Sequence, residues 1–463
     1  IRILRPSRSS ENLWIGTFSG LSILKKTNFE VFLADNYSQF SSVVDFGEIP
    51  NIGYAIGTYR NGVYVFVESE TKTTPIKLNE ALPRYHADEY SVMTILGKDD
   101  SFWIGYRNSG LERFSLEDHD NEIFSTRSSP DFSSNSISDI LDMGKNRTLV
   151  GTYGGGIYLF EGKRLEKSFD TDSKHTNGLL DNRIIFLFLD SSGIIWVGTE
   201  SGLQIFTYED EEFLDVTVES EQHEFKVIPW CINQSRDGSI WLGTSKDGLF
   251  RSSHQKDIGN YAFSNEGTGP DTFSKTIFSL QADDFGRIWA ATDTGIKSID
   301  MPSLAVSDYS NSHEIRELRY DVGASGIDSK KRLYFGGSRG FLRFRPNDIG
   351  RNTSVPKMVI SNLSIGDSVY EENTLLRRID TLKVRSTDYW FSINYRVIDY
   401  FSNTLHSYRH RLLNFDRDWV YTGGNGSATY TNLPPGEYFF HAQGTDSSGN
   451  TNTDGIQLKV IVY

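Results

Sequence analysis

Short apolar runs separated by turn-forming residues follow one another along the chain, and one run returns with small changes. Its clearest form is Trp241-Leu-Gly-Thr-Ser-Lys-Asp-Gly-Leu249, and related stretches begin at Trp14, Ala55, Trp103, Leu149, Trp196, Trp289 and Tyr334, making eight copies. Measured at the small residue after each apolar pair (Gly16, Gly57, Gly105, Gly151, Gly198, Gly243, Ala291, Gly336), the copies lie 41 to 48 residues apart. That is about the length of one four-stranded propeller blade. The fullest unit, from Ile277 to Ile299, holds three apolar runs and two tight turns. The first turn carries Asp and Gly (Asp190 and Gly193, Asp237 and Gly238, Asp284 and Gly286), and the second ends in Gly20, Gly62, Gly110, Gly156, Gly202, Gly248, Gly295 or Gly340. Asp bonds nearby backbone and Gly supplies positive φ, so both turns read as hairpins. A further run after each unit, such as Phe29 to Leu33 or Phe213 to Val216, makes an outer fourth strand.

Within the repeat, Trp and Gly two residues apart share one face of a strand while Ile15 and Thr17 take the other, so both faces need cover. A propeller provides it: each blade is sandwiched, and a bulky residue of one sheet meets a small residue of the next. The fold expected is all-β, a β-propeller of four-stranded blades over residues 1–345. Eight units close one ring of eight, or the first belongs to a neighbouring ring and seven close on themselves. After a turn-rich linker, 346–356, the rhythm stops. Residues 357–463 read as an immunoglobulin-like β-sandwich with strands Lys357 to Ile365, Leu382 to Arg385, Trp390 to Val397, Ser407 to Leu412, Ala428 to Thr431, Tyr438 to Thr445 and Ile456 to Tyr463.

Composition narrows the classes. The 463 residues are 37% hydrophobic, enough to bury large cores, and there is no run of about eighteen apolar residues or charged-then-apolar leader. A net charge of −14 argues against nucleic-acid binding, which needs a basic surface. The single cysteine, Cys231, sits in an apolar run and reads as a small buried hydrophobe. No cofactor is called for.

Two features give the chain a resemblance to the extracytoplasmic sensor region of bacterial propeller-type two-component regulators, including the hybrid sensors of glycan-degrading gut bacteria. One is the repeated WIGT-xx-GL unit. The other is Tyr408-Arg-His-Arg-Leu-Leu-Asn-Phe-Asp-Arg-Asp-Trp419 with Ala428-Thr-Tyr-Thr-Asn-Leu-Pro-Pro-Gly-Glu-Tyr438, which is similar to the triple-tyrosine domain, Tyr408, Tyr430 and Tyr438 matching its tyrosines. The resemblance implies a periplasmic sensor fragment that binds an oligosaccharide, works as a homodimer and is joined beyond Tyr463 to a membrane anchor and an output domain.

The ligand face of such a ring is where the turns between second and third strands meet the loops entering first strands. Residues just after each GT position vary while the framework stays constant: Phe18, Tyr59, Arg60, Tyr106, Arg107, Tyr153, Glu200, Lys246, Asp293 and Arg339. The entering loops add Arg183, Trp230 and Lys275. Aromatic rings stack on sugars and planar polar groups fix hydroxyls or carboxylates, so this mixture suits a saccharide. Arg60, Arg107 and Arg339 would suit an acidic one if they converge. Catalysis has weaker support. Gly336-Gly-Ser338-Arg-Gly340 fits a nucleophile motif but occupies a strand-to-strand turn. His406 and His410, on a strand, stand too far apart to share a metal. Glu200 and Asp293 are the carboxylate pair to test for hydrolysis. A protein-binding scaffold is the third class.

Overall fold

The computed structural model describes residues 3–6, 13–17, 20–24, 29–67, 75–82, 91–98, 100–172, 178–218, 227–252, 261, 263–266, 274–301, 304–310, 313–349, 355–366, 368–371, 379–398, 406–446 and 450–463. The chain divides into two compact units, Ile1–Val216 with Glu317–Gly350, and Thr217–Arg316 with Arg351–Tyr463. The repeat forms seven four-stranded antiparallel sheets among the described residues, the blades of a β-propeller.

Unit one holds five of them. Blade one runs Val43–Ile49, Gly53–Thr58, Gly62–Val67 and Ile76–Lys77. Blade two is Val92–Lys98, Ser101–Tyr106, Leu111–Ser115 and Asn121–Phe124. Blade three is Ile137–Gly144, Arg147–Thr152, Ile157–Glu161 and Arg164–Phe169, and blade four is Ile184–Leu189, Ile195–Thr199, Gly202–Thr207 and Glu212–Val216. Blade seven joins Tyr320–Ile327, Leu333–Gly337 and Gly340–Phe344 to a strand from the other end of the chain, Glu30–Leu33, with Gly340 opposite Leu33 and Arg343 opposite Glu30. The first copy keeps its other three strands, Ile3–Pro6, Leu13–Thr17 and Gly20–Leu24, as a separate three-stranded sheet. The first unit therefore lends its fourth strand to the seventh blade, which the eighth copy otherwise builds, and among the described residues it forms no four-stranded blade of its own.

The alternation of bulky and small residues is the packing between blades. A Cβ placed on Gly57, Gly105 or Gly151 would stand 2.9, 2.5 or 2.8 Å from a methyl carbon of Val92, Ile137 or Ile184, each the first residue of the next blade's innermost strand. Gly336 meets Val43 in the same way at 2.8 Å. The threonine of the motif has its own task. Thr58, Thr152 and Thr199 are fully buried, and each hydroxyl donates to the glycine carbonyl that ends the following turn, at 2.7, 2.8 and 3.0 Å. Each also accepts a backbone N–H within that turn.

A third device satisfies the buried aromatic ring. Asp190 accepts the Trp196 indole N–H at 3.0 Å and, in blade seven, Asp328 accepts the Tyr334 hydroxyl at 3.0 Å, both from six residues upstream. An indole N–H buried without an acceptor would cost about 1–3 kcal/mol. The spacing ties the Asp turn to the apolar strand that follows it.

Unit two holds blades five and six and the sandwich. Blade five is Pro229–Gln234, Ile240–Thr244, Leu249–Ser252 and Phe263–Asn265; blade six is Ile277–Ala282, Arg287–Thr292, Gly295–Asp300 and Ala305–Asp308. The same devices recur: Trp241 donates to Ser235 at 2.9 Å, Trp289 donates to Asp283 at 2.8 Å, and Thr244 and Thr292 cap Gly248 and Gly295. The anchoring carboxylate of blade six is thus Asp283, which also takes the Arg287 guanidinium at 2.7 Å; neighbouring Asp284, placed in this turn from sequence, is exposed. Cys231 is buried as expected, against a would-be Cβ of Gly243, and burial holds its thiol well above the usual range.

The sandwich packs a four-stranded sheet and a five-stranded one. The first orders Ser368–Glu371, Lys357–Ile365, Trp390–Ile398 and Ser427–Thr431; the second orders Thr381–Val384, Thr451–Val462, Gly436–Thr445, Ser407–Leu413 and Val420–Gly423. All seven expected strands are present, and Ser368–Glu371 and Val420–Gly423 are additional edge strands. Tyr408, Tyr430 and Tyr438 are buried in the core. Tyr430 donates to Asp416 at 2.7 Å, Tyr438 donates to the Pro434 carbonyl at 2.9 Å, and Tyr408 accepts the Val397 N–H at 3.2 Å. Burial and the Tyr408 hydroxyl raise the Tyr395 phenol to about 12, and its hydroxyl shares a 3.0 Å bond with His410. His410 is committed to the core, its pKa lowered by burial.

Candidate functional site

The capped threonine fixes where the next side chain points. Residues immediately after the GT position leave the strand at the turn, and in unit one they meet their counterparts on the neighbouring blade. Tyr59 of blade one receives a hydrogen bond from the Arg107 guanidinium of blade two, whose carbon lies 5.2 Å from the ring centroid. Tyr153 of blade three donates to Glu200 of blade four at 3.3 Å. Four consecutive blades thus present Tyr, Arg, Tyr and Glu at one equivalent position. Tyr153 is 49% exposed, a large value for an aromatic ring held by its neighbours.

The loop entering blade four completes the second pair. Arg183 bridges Tyr153 through the backbone, and its carbonyl accepts the Glu200 N–H at 3.1 Å. Its guanidinium forms a fork on Asp181, at 3.0 and 2.6 Å, and Ser201 donates to the same carboxylate at 2.7 Å. The Arg183 fork, chiefly, holds the Asp181 carboxyl down at about 2. Asp181 and Ser201 belong to the site but were absent from the sequence reading. The signal was there: Asp181 stands two residues before Arg183 in an entering loop already singled out.

Other expected residues divide. Arg60 is exposed beside Tyr59. Tyr106 is a correction: it is 4% exposed in the core, with its hydroxyl donating to buried Glu112. It occupies the position that Thr58, Thr152 and Thr199 take in other copies, so it is framework, and Arg107 is the first tip residue of blade two. Arg339 is a second correction, since Glu317 and Asp35 both pair with its guanidinium, leaving no free positive charge there for an acidic sugar. Ser338 lies in the turn between Gly337 and Gly340, its N–H bound to the Arg319 carbonyl, with no strand-to-helix elbow. Phe18 lies outside the described residues.

Unit two carries the remaining candidates. Lys246, Lys275 and Asp293 are exposed, Asp293 accepting from Ser274, and the Lys275 carbonyl takes the Gly248 N–H at 2.9 Å. Trp230 is half-buried, its ring 5.9 Å from Phe278. Among the described residues no cluster of His, Cys, Asp and Glu could hold a metal.

Comparison with known proteins bears on both halves. Residues 178–201 match the two component regulator propeller family, and residues 399–463 match the Y_Y_Y domain. Histidine kinase P4 of Formosa agariphila is 22% identical over 390 residues, covering 79% of this chain and 27% of that protein. An extracellular domain assigned to a hybrid two component system of B. thetaiotaomicron is similar with a TM-score of 0.70 at 21% identity, over 100% of this chain and 61% of that one. A second such domain from the same organism gives 0.54 at 16%, over 99% and 62%. YCF48 from Cyanidioschyzon merolae gives 0.53 at 14%, over 70% and 100%. At these identities the structural likeness speaks for the fold. The chain spans about a quarter of the length of the curated kinase it matches, and less than two thirds of the bacterial domains. The match to the two component regulator propeller family thus precedes the match to the Y_Y_Y domain along the chain, the order of the sensor regions its sequence resembles.

Proposed function

We propose that the chain is the ligand-sensing region of a two-component signalling receptor, working outside the cytoplasm, and that it binds an oligosaccharide on the face formed by the turns between second and third strands. The observation that carries this reading is the series Tyr59, Arg107, Tyr153 and Glu200, side chains from four successive blades linked in pairs across the blade boundaries. Exposed rings beside planar hydrogen-bonding groups suit the apolar faces and hydroxyls of sugars. The framework beneath is spent on packing and capping, so these positions are free to specialise. Arg60 and Arg183 are the other contact candidates in this unit. The solved relatives named as extracellular domains support the location, and the histidine kinase relative supports the signalling role.

In this reading the fragment recognises and does not transform its ligand, and a kinase and membrane anchor lie elsewhere in the receptor. Occupancy shifts a homodimer between two arrangements only by its differential affinity for them. Calorimetric titration of the chain with a panel of neutral and acidic oligosaccharides tests the proposal: saturable heat that Tyr153→Ala removes is expected. Silence across the panel favours a protein-binding scaffold, and turnover abolished by Glu200→Gln favours a hydrolase.

A further inference from the structure

The outer face of the five-stranded sheet of the sandwich carries a second constellation, independent of the propeller face. Arg409 stands opposite Gln443 and Tyr421, and Arg411 opposite His441, so register alone puts all five on one face. Trp419 is laid across them: the Arg409 and Arg411 guanidinium carbons lie 4.7 and 5.2 Å from its ring centroid, and the His441 ring centroid lies at 5.1 Å. Arg409 donates to Gln443 at 2.8 Å and to Tyr421 at 3.3 Å, and Gln443 is held in turn by the Thr453 carbonyl at 2.6 Å.

Charge is left over here. The chain has 61 acidic residues against 47 basic ones, yet among the described residues no carboxylate comes within ion-pair range of Arg409 or Arg411. Arg411 Nε and His441 Nε2 are buried atoms with no hydrogen-bond partner among the described residues. A buried guanidinium N–H without an acceptor is costly, and stacking on an indole fixes the plane of the fork while leaving its in-plane donors open. The Arg411 fork, beside the Nη2 donors that Arg409 keeps after bonding Gln443 and Tyr421, matches the oxygens of a carboxylate or sulfate. Tyr421, 73% exposed at the rim, offers a ring for the attached apolar surface.

We propose that Arg409, Arg411 and His441, ordered by Trp419, form an oxyanion site for the carboxylate or sulfate of an acidic saccharide. The planar groups around the forks, Tyr421, Gln443 and His441, favour a saccharide over a phospholipid headgroup, because they match ring faces and hydroxyls.

The test uses the whole chain, titrated calorimetrically with a short oligogalacturonate, with its methyl-esterified form, and with phosphatidylglycerol vesicles. Saturable heat with the free acid only is expected, competed by inorganic sulfate, weakened about tenfold or more by Arg411→Gln and unchanged by Tyr153→Ala. Arg411→Lys keeps the charge and the stem against Trp419, so the fold survives; it is expected to weaken binding several-fold through loss of the fork. Equal binding of the esterified form, binding to vesicles alone, no heat with any probe, or full affinity in both Arg411 variants would overturn the site. Loss of neutral-oligosaccharide binding in Tyr153→Ala, with oligogalacturonate binding and its Arg411 dependence intact, would separate the two sites.

Discussion

The blades and the sandwich both bury aromatic side chains that carry a polar atom, but they find partners at different distances along the chain. In blades four to seven the partner is six residues upstream: Asp190 for Trp196, Ser235 for Trp241, Asp283 for Trp289, Asp328 for Tyr334. In the sandwich Tyr438 has a local partner in the Pro434 carbonyl, but Tyr430 reaches Asp416 and Tyr395 reaches His410, fourteen and fifteen residues away on other elements. A local partner makes each blade a self-completing unit that can be copied. Distant partners make the sandwich an all-or-none core.

The sharpest way to break that contrast is Asp283→Ala. It removes the carboxylate that the buried Arg287 guanidinium and the Trp289 indole share, and a loss of about 3–5 kcal/mol is expected by chemical denaturation. A loss below about 1 kcal/mol would show that the local partner is dispensable. Next, Gly151→Val drives a side chain into Ile184 of the next blade, where a Cβ alone would stand at 2.8 Å, and about 1–3 kcal/mol is expected. Tyr430→Phe removes one donor from the sandwich core and should cost about 1 kcal/mol, with strong coupling to Asp416→Asn in a double-mutant cycle.

A further effect is a pH dependence. Asp45 and Asp139 on the innermost strands of blades one and three accept the Ile95 and Leu187 N–H groups of the next blade at 2.7 Å. Burial, opposed in part by those bonds, raises their carboxyls to about 7 and about 6. Both folded-state values lie above the unfolded one near 4, so the folded chain binds more protons between the two, and stability falls as pH rises through that window and levels off above it. Asp45→Asn should therefore lose less melting temperature than the parent between pH 5 and pH 8. An identical loss would contradict the assignment.

The same contrast explains what was legible in sequence. Eight copies, the two turns and the meeting of a small residue with a bulky one of the next blade were readable because each rests on contacts within some fifty residues. The choice between seven and eight blades was not, because it turns on Glu30–Leu33 pairing with Gly340–Phe344, and alternation does not name a partner across the whole chain. Arg339 was misjudged for the same reason, since Asp35 comes with that distant strand. Tyr106 was recoverable: laying the copies over one another puts it under the column of buried threonines. The missed edge strand Val420–Gly423 is largely exposed and has no alternation to read.

Thr152 and Tyr153 are adjacent and divide the two roles between them, the first fully buried with its hydroxyl capping Gly156 at 2.8 Å, the second 49% exposed. Measuring unfolding free energy and saccharide affinity on Thr152→Ala and Tyr153→Ala in parallel is the most direct test of a constant framework carrying specialised tips. Thr152→Ala should lose about 1 kcal/mol of stability and keep its affinity, while Tyr153→Ala should keep its stability to within about 0.5 kcal/mol and lose binding. Full affinity in Tyr153→Ala, or a stability loss as large as that of Thr152→Ala, would contradict it.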